Sequence, residues 1–261
     1  MKKFIFITTL TPEQFLTPLR KSLFELYLQA LQKQSYTNWE AILIGEFAKK
    51  DQNITYLRSE AVTKSDKLKV AFEYLSQLEI KPDYIIRLDD DDLISPDLLT
   101  RISTLDFDCY SDQYHSYYDI TTASTSQQLR HWLPNTIIHK FEHGMAPYGE
   151  SQLSLFMHDH SQAWHVYYAD KKIVWAPKKH PVYLRIISPT TITSKMDPGK
   201  AVNYADFDKE EYSRYLKTFG NWKRFSCVDF TMHLDRLIKI WENFSQQRIE
   251  RKKKSFFNFF K

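Results

Sequence analysis

Four consecutive aspartates, at positions 89–92, follow a short apolar run in the stretch YIIRLDDDDLISPDLL. Carboxylates packed this closely repel one another, and partial burial raises the free energy needed to ionise each of them. A divalent cation relieves that repulsion, because Mg²⁺ and Mn²⁺ accept carboxylates together with the phosphate oxygens of a substrate. The residue types and their spacing therefore predict a metal site for phosphate chemistry.

A calcium-binding loop and a solvated turn are two other local structures that place carboxylates side by side. A calcium-binding loop needs a glycine and a closing glutamate at fixed positions, and the sequence after Asp89 has neither. A solvated turn before a helix that starts at Ser95-Pro96 needs no ligand, since negative charge is favourable near a helix N-terminus. The sequence excludes the calcium loop and leaves the solvated turn open.

The elements around the cluster decide where it lies. Apolar runs at residues 4–9, 39–46, 54–60 and 84–88 predict four buried strands, and the longer segments between them have the apolar spacing of amphipathic helices. Such alternation indicates a mainly parallel α/β sheet, in which ligands bind beyond the carboxyl ends of the strands. The aspartates follow the fourth strand at that end.

Local geometry at two points bears on this site. The first helix is expected to begin at Thr11-Pro12, because threonine is a good N-cap and proline suits the first helical position. If the chain stays extended after the fourth strand, Asp89 and Asp91 point to one side and Asp90 points to the other.

Beyond residue 104 the pattern changes to short, aromatic-rich segments. Strands are expected in DFDCY, HSYYDITTA, WLPNTIIHK, AWHVYYAD, KKIVWAP and PVYLRIIS, and helices in YGESQLSLFMHDH and at residues 206–219 and 228–247. We expect one mixed domain at residues 1–205, with halves at 1–104 and 105–205, and a helical C-terminal extension at 206–261.

Composition limits the class of protein. The chain has 261 residues, 43% of them hydrophobic, and it lacks an apolar run near the roughly 20 residues that a membrane-spanning helix needs. Its five glycines form neither the Rossmann dinucleotide motif nor a P-loop. Its two cysteines, Cys109 and Cys227, are far apart and indicate a reducing compartment. We therefore expect a globular, cytoplasmic protein.

The net charge of +4 lies in the C-terminal tail. Residues 248–261, RIERKKKSFFNFFK, contain six basic residues and one acidic residue, so the rest of the chain is nearly neutral. A basic cluster beside four phenylalanines suits an anionic membrane surface, where each Lys or Arg contributes about 1 kcal/mol. We expect the tail to make peripheral contact with the inner face of the membrane, with a disordered or helix-packing end as the alternative. Nothing else in the chain predicts binding to nucleic acid.

Two segments resemble the family 2 glycosyltransferases. The stretch QSYTNWEAILIGE resembles their Q-x-y-x-n-W-E-l-i-i-v-D-D segment, and LDDDDLISPDLL is similar to their l-D-x-D-D-l-l-x-P-d-x-l segment. The arginine in IIRLDDDD resembles the rhamnosyltransferase branch. The resemblance implies a GT-A fold, which is a Rossmann-like mixed sheet with flanking helices, and a nucleotide-diphosphate sugar as donor. Residues 1–104 would then bind the nucleotide sugar and residues 105–205 the acceptor.

The resemblance also implies roles for single residues around the donor. It assigns a bound Mn²⁺ or Mg²⁺ to Asp91, as the direct ligand, together with Asp89 and Asp92. The residues that it assigns to donor binding are Thr8, Thr9, Glu46, Lys67, Asp89 and Asp90. Glu46 stands where the family usually has an aspartate, and Gly45 replaces the aspartate before it.

The resemblance further implies a carboxylate base well beyond the aspartates, in an E-D segment. Glu150 in YGESQLSLF has a comparable position, although Ser151 replaces the aspartate, and Asp159 in FMHDHS is the competing candidate. A first-turn helix position explains Glu150 equally well, because acidic residues are favourable there. Trp132 is the candidate sugar-stacking residue, with a buried core aromatic as the alternative, and His143 is a polar candidate for the acceptor pocket.

The resemblance, together with the aspartate cluster, predicts a metal-dependent glycosyltransferase of the inverting type that acts on a glycan or lipid-linked acceptor in the synthesis of a bacterial surface polysaccharide. A nucleotidyltransferase also uses paired aspartates and a nucleotide, but it usually has a glycine-rich basic loop after the first strand, and TTLTPEQF lacks one. A GT-A relative without activity, which only binds glycans or acts as a scaffold, is the alternative from a different class.

Overall fold

The computed structural model describes residues 1–46, 49–158, 163–189, 209–220, 222 and 228–259. Its strands, in chain order, are β1 (Phe4–Thr9), β2 (Trp39–Gly45), β3 (Lys49–Asp51), β4 (Ile54–Arg58), β5 (Tyr84–Arg87), β6 (Leu93–Ile94), β7 (Cys109–Ser111), β8 (Tyr114–Asp119), β9 (Ser124–Leu129), β10 (Ile138–Lys140), β11 (Pro147–Tyr148), β12 (Leu153–Ser154), β13 (Ile173–Trp175) and β14 (Tyr183–Ile187).

The helices within the same ranges lie between and after these strands. They are α1 (Pro18–Gln32), α2 (Lys64–Gln77), α3 (Leu98–Ile102), α4 (Phe141–Met145), α5 (His165–Tyr167), α6 (Lys209–Lys217) and α7 (Thr231–Phe259). None of the helices in the described part of the chain is both long enough and apolar enough to cross a membrane.

A large mixed sheet has the strand order β13-β7-β10-β5-β1-β2-β4-β3. Its strands β5, β1, β2 and β4 are parallel, as the alternation in the first hundred residues predicts. Strand β10 runs antiparallel to both β5 and β7, and β3, which the sequence did not predict, is antiparallel to β4 at the edge. The predicted α/β class, with a mixed sheet and flanking helices, is confirmed.

Alternate side chains of β1 enter the two faces of this sheet. Phe4 and Phe6 belong to the core that includes α1, whereas Ile5 and Ile7 belong to the core that includes α2. All four side chains are fully buried. Because burying a side chain of this size contributes roughly 1.5–3 kcal/mol, the two cores hold the end of β1 in place beside the end of β5.

A smaller sheet of four strands has the order β6-β14-β8-β9. Strand β6 begins directly after the four aspartates and pairs antiparallel with β14, with Leu93 opposite Leu184. Strand β14 is in turn parallel to β8, with Arg185 opposite Tyr117. The short β6 therefore brings a distant strand, and with it Arg185, beside the aspartates.

The start of α1 corrects the sequence-based prediction. The helix begins at Pro18 with Thr17 as its N-cap, and the Thr17 side chain accepts the backbone N–H of Arg20 at 3.2 Å. Thr11-Pro12 instead precedes a single 3-10 turn at Glu13–Phe15. The chain contains two Thr-Pro pairs with equal capping chemistry. The predicted type of N-cap is therefore correct, and its predicted position is wrong.

Two segments of the second half also differ from the prediction. The described part of YGESQLSLFMHDH, residues 148–158, belongs to the hairpin β11–β12 and a 3-10 turn rather than to a helix, and Gly149 has the positive φ of 69° that lets the chain turn there. The stretch AWHVYYAD contains α5 rather than a strand. Trp164 is fully buried there, and its indole N–H donates to the carbonyl of Leu155 at 2.7 Å.

Helices α6 and α7 confirm the helical prediction for the C-terminal segments. Phe230 and Leu237 are buried in the same core as α1 and the large sheet. Asp229 fixes this end of the chain, because its carboxylate lies 3.2 Å from Arg101 Nη1 and 3.0 Å from His180 Nδ1. The side chains of the basic tail lie outside the described residues, so its membrane contact stays a prediction.

Candidate active site

The chain turns sharply at the four aspartates. The backbone N–H of Asp92 donates to the carbonyl of Asp89 at 3.2 Å, which closes a turn directly after β5. All four carboxylate side chains line one cavity of about 370 Å³, here called the acidic cavity, which the loop after β1 also lines. The expectation that Asp90 points away from Asp89 and Asp91 is wrong, because side chains alternate only where the chain stays extended.

Arg20, in the first turn of α1, is the countercharge of two aspartates. Its Nη2 donates to Asp90 Oδ1 at 3.1 Å, and its Nη1 lies 3.3 Å from Asp91 Oδ2. These side chains are only 8%, 8% and 11% exposed. Asp90 also accepts the backbone N–H of Thr11 at 2.7 Å. The contacts join α1 and the loop after β1 to the acidic turn.

Asp91 is the least satisfied of the four carboxylates. Burial raises the pKa of Asp91 to about 6, the charges of Asp90 and Asp89 add to that rise, and Arg20 opposes it. Oδ2 faces Arg20, whereas Oδ1 accepts no hydrogen bond from a residue that the structure describes. A cation beside this oxygen would favour the charged carboxylate.

Asp89 is held between a lysine and an amide. Lys64 pairs with its Oδ1, and Asn135 Nδ2 donates to its Oδ2 at 3.0 Å. Burial opposes ionisation of this carboxyl group, but the positive charges of Lys64, Arg87 and Arg185 outweigh burial and bring the pKa of Asp89 below its ordinary value. These contacts and positive charges therefore favour the charged form of Asp89.

Asp92 attaches the acidic turn to the smaller sheet. Its Oδ1 accepts the backbone N–H of Ile186 at 3.0 Å, and its Oδ2 lies 3.5 Å from Asn135 Nδ2. Burial, followed by the charges of Asp91 and Asp89, raises the pKa of Asp92 well above its ordinary value. Both oxygens are already engaged by the protein, so this residue positions the turn.

The donor set fits a cation that takes part of its coordination shell from a substrate. No group of three or more His, Cys, Asp and Glu side chains in the described ranges forms a complete metal site. Mg²⁺ is commonly bound by one or two carboxylates, with phosphate oxygens and water as the other ligands. Asp91 offers its uncontacted oxygen as a ligand. Asp89 would exchange its contact with Lys64 for a contact with the cation.

The structure separates the residues that were predicted to bind the donor. Thr9, Lys67, Asp89 and Asp90 line the acidic cavity. Lys67 is almost fully buried and donates from Nζ to the carbonyl of Leu10 at 2.6 Å, so it fixes the loop after β1. Burial lowers the pKa of Lys67, and the negative charges of Glu46 and Asp90 partly offset this decrease.

Thr8 and Glu46 lie outside the acidic cavity. The Thr8 side chain is fully buried, and its Oγ1 lies 2.6 Å from the hydroxyl oxygen of Tyr27. Glu46 lines a neighbouring cavity of about 250 Å³ together with Asp90, and its Oε1 accepts the backbone N–H of Glu13 at 3.1 Å. Thr8 therefore packs the core, whereas Glu46 borders a space next to the aspartates.

Of the two candidate bases, only Glu150 lies within the described residues, and it is not brought to the acidic cavity. Glu150 is exposed on the turn between β11 and β12 and lines neither the acidic cavity nor the pocket around Trp132. Asp159 lies outside the described residues. The role of either carboxylate in catalysis stays a prediction.

The two acceptor candidates lie apart. Trp132 is 39% exposed, so it is not the buried core aromatic of the alternative interpretation. It belongs to a cavity of about 320 Å³, here called the aromatic pocket, whose walls are His115, Tyr117, Arg130, Trp132, Pro134, Asn135, Tyr183, Arg185, Thr218 and Phe219. His143 lines neither cavity, and its ring nitrogens lie 3.0 Å from the Tyr167 hydroxyl and 3.2 Å from Asp108 Oδ1.

Sequence reasoning missed four residues that hold the aspartates: Arg20, Lys64, Asn135 and Arg185. Two of them left a signal in the sequence. Arg20 is basic in the first turn of a helix, where positive charge is unfavourable unless a partner compensates it. Arg185 interrupts the apolar run PVYLRIIS, and a charge in a buried strand needs a partner.

No family model matches the chain, and no curated protein matches it. Solved structures with a similar arrangement include TarS from S. aureus, at a TM-score of 0.46 and 11% identity, over 92% of this chain and 71% of that one. A galactosyltransferase 7 from Drosophila, in complex with manganese, UDP-Gal and xylobiose, has a TM-score of 0.41 and 12% identity, over 80% and 79%.

A third similar structure is the glycosyltransferase GlyE of Streptococcus pneumoniae. It has a TM-score of 0.40 and 9% identity over 94% of this chain, which spans 64% of GlyE. At TM-scores this low, the likenesses assign neither a family nor an activity to this chain. The function proposed below rests on the residues of the two cavities.

Proposed function

We propose that the protein is a metal-dependent glycosyltransferase that moves a sugar from a nucleotide-diphosphate donor to a glycan or lipid-linked acceptor. The observation that carries the proposal is the acidic cavity, in which four aspartates of one turn meet four basic side chains: Arg20, Lys64, Lys67 and Arg185. Carboxylates hold the cation, and basic side chains bind phosphate oxygens, so a cavity with both suits a metal-bound diphosphate.

The position of the cavity supports the same function. It opens after β1 and β5, which are neighbouring parallel strands, and this edge is where open α/β sheets bind their ligands. The resemblance of QSYTNWEAILIGE and LDDDDLISPDLL to family 2 supports the finer parts of the proposal. These are the GT-A fold, the rhamnosyltransferase branch, an inverting reaction, and synthesis of a bacterial surface polysaccharide. The cysteine content and the basic, aromatic tail support a cytoplasmic enzyme whose tail touches the membrane.

Each residue of the cavity has a distinct task in this mechanism. A bound Mn²⁺ or Mg²⁺ supplies a Lewis acid that stabilises the charge of the leaving diphosphate. Asp91 would hold the cation through its uncontacted oxygen, and Asp92 keeps the turn against β14. Lys64, whose side chain is 44% exposed, can exchange Asp89 for a phosphate oxygen of the donor.

The second candidate is a sugar-nucleotide-binding protein without transfer activity. An acceptor hydroxyl needs a base within hydrogen-bond reach to remove its proton. The exposed position of Glu150, away from both cavities, favours this candidate. Under the first candidate, Asp159 is the base that we propose.

Binding and transfer are tested separately. Nucleoside diphosphates and sugar nucleotides are added to the wild type, Asp91→Asn and the control Asp170→Asn, with Mn²⁺ or with a chelator, and the melting temperature is recorded. Asp170 is a suitable control because its side chain is 81% exposed and lies away from both cavities. A ligand at a hundred times its Kd stabilises the folded state by about 2.7 kcal/mol.

We expect a Mn²⁺-dependent rise in melting temperature with at least one nucleotide, lost in Asp91→Asn and kept in Asp170→Asn. No metal-dependent shift with any nucleotide would rule out the proposed donor site. A shift without metal-dependent release of the nucleoside diphosphate from any sugar nucleotide would favour the binding protein.

A further inference from the structure

The aromatic pocket differs in charge from the acidic cavity, in which four aspartates lie beside four basic side chains. The described residues of its walls include two arginines, Arg130 and Arg185, and no aspartate or glutamate. Its volume of about 320 Å³ lies at the lower end of the roughly 300–1,000 Å³ that is usual for small-molecule sites. A single ring-sized ligand therefore suits it better than an extended chain.

Arg130 is held in position without an acidic partner among the described residues. Its guanidinium carbon lies 5.0 Å from the centre of the Trp132 ring, and its Nη2 donates to the carbonyl of Thr218 at 2.8 Å. Its Nε is shielded from solvent and has no hydrogen-bond partner in the same part of the chain. The contacts with Trp132, Thr218 and Tyr117 thus preorganise this cation on the wall of the pocket.

Arg185 forms the boundary between the two cavities, since it lines both. Its guanidinium carbon lies 5.9 Å from the centre of the Phe219 ring. Asn135 also belongs to this boundary, because it accepts the hydroxyl of Tyr183 at 2.6 Å and donates to Asp89 at 3.0 Å. A ligand in the aromatic pocket would therefore lie directly beside the acidic turn.

We infer that the aromatic pocket binds a sugar unit that carries a carboxylate or a phosphate group, as the acceptor of the proposed transfer. Guanidinium groups bind both anions through two parallel hydrogen bonds, and Arg130 supplies such a group, whereas the charge of Arg185 is shared with Asp92 and Asp89. The exposed part of Trp132 offers an apolar surface to the sugar ring. The role as acceptor rests on the proposed function, whereas the class of ligand rests on the pocket alone.

Three hexoses that differ only at C6 test the class of ligand. Glucose, glucuronate and glucose 6-phosphate are titrated against the full chain without nucleotide, and their dissociation constants are measured by ligand-observed NMR. We expect both anions, or one of them, to bind roughly ten-fold more tightly than glucose, since hydrogen bonds between charged groups are stronger than neutral ones. The separate titrations show whether the carboxylate or the phosphate is preferred.

Variants of Arg130 test the location of the site. Arg130→Gln is expected to weaken anion binding roughly ten-fold and to leave glucose binding unchanged, and Arg130→Lys is expected to lie between. Arg236→Gln is the control, since Arg236 is exposed on α7 and lines neither cavity. A melting curve of each variant confirms that it is folded.

Equal affinities for glucose and both anions in the wild type would overturn the inference, and this comparison needs no variant. Unchanged anion binding in folded Arg130→Gln or Arg130→Lys would overturn the site. Anion binding that depends on Arg130, in a protein that binds no nucleotide, would leave the pocket standing and reject the proposed function. Nucleotide binding without a preference for the anionic sugars would leave the proposed function standing and reject the aromatic pocket as an anion site.

Discussion

At the residue scale, Arg20 compensates two carboxylates in surroundings that exclude most water. Removing one partner from a buried ion pair leaves an uncompensated charge, which typically costs about 3–5 kcal/mol. We expect Arg20→Met to lower the free energy of unfolding, measured with urea, by that amount.

The matched control for this prediction is Arg58→Met. The side chains of Arg58 and Glu60 are 67% and 80% exposed, and exposed pairs contribute about 0–1 kcal/mol. A loss of similar size in both variants would show that the Arg20 pair is not special, and would contradict the burial that the structure shows.

The sequence predicted the anions of the site better than their partners. The aspartates are adjacent, so composition alone reveals them, whereas Arg20 and Ile186 reach them from 70 and 94 residues away along the chain. Such contacts depend on how the strands are ordered in space, which no local pattern encodes. The basic residue in the first turn of α1 and the arginine within the apolar run PVYLRIIS were the available clues.

At the element scale, Asp112 connects the end of β7 to the start of β14. Its two oxygens accept the backbone N–H of Val182 at 2.9 and 3.0 Å. Burial raises the pKa of Asp112 from its ordinary value of 3.8 to about 7, and the backbone hydrogen bonds and Arg101 oppose the rise. Between these pH values the folded state holds a proton that the unfolded chain has lost.

Stability should therefore fall as the pH rises through this window. Where the folded state binds more protons, the free energy of unfolding decreases with increasing pH. We expect the decrease between about pH 4 and pH 7 to be smaller in Asp112→Asn than in the wild type, as measured by urea unfolding at several pH values. Identical pH profiles for the two proteins would contradict the raised pKa.

The element scale also shows why some predictions failed. Strands β1, β2, β4 and β5 were recognised because buried parallel strands are continuous apolar runs. The aromatic segment around Trp164 has the same composition as a strand, but tertiary packing holds it as a helical turn, and propensity yields to such packing. The hairpin β11–β12 depends on Gly149, which a helical pattern does not exclude.

At the scale of the whole molecule, α7 shares a core with α1 and the large sheet. Leu237 is fully buried in that core, and replacing a buried leucine by alanine costs about 2–5 kcal/mol. We expect Leu237→Ala to lose this much stability and to unfold in one transition, with coincident melts by circular dichroism and tryptophan fluorescence.

The neighbouring Ile238→Ala is the control, because Ile238 is 36% exposed and its loss should cost much less. Two separate transitions would instead support independent units, such as the division at residue 205 predicted from the sequence. That division stays a prediction, since the sequence pattern shows where helices begin but not which core they join.

The amide group of Asn135 contacts residues of both cavities, and this can link ligand binding in one cavity to ligand binding in the other. Its oxygen holds Tyr183 on one side, and its nitrogen holds Asp89 and Asp92 on the other. If a ligand in one cavity changes the affinity of the other, thermodynamic reciprocity requires the same factor in the opposite direction. The two ligands then form one thermodynamic cycle. Rates determine which ligand binds first, and the free energy of the state with both ligands bound is the same by either route.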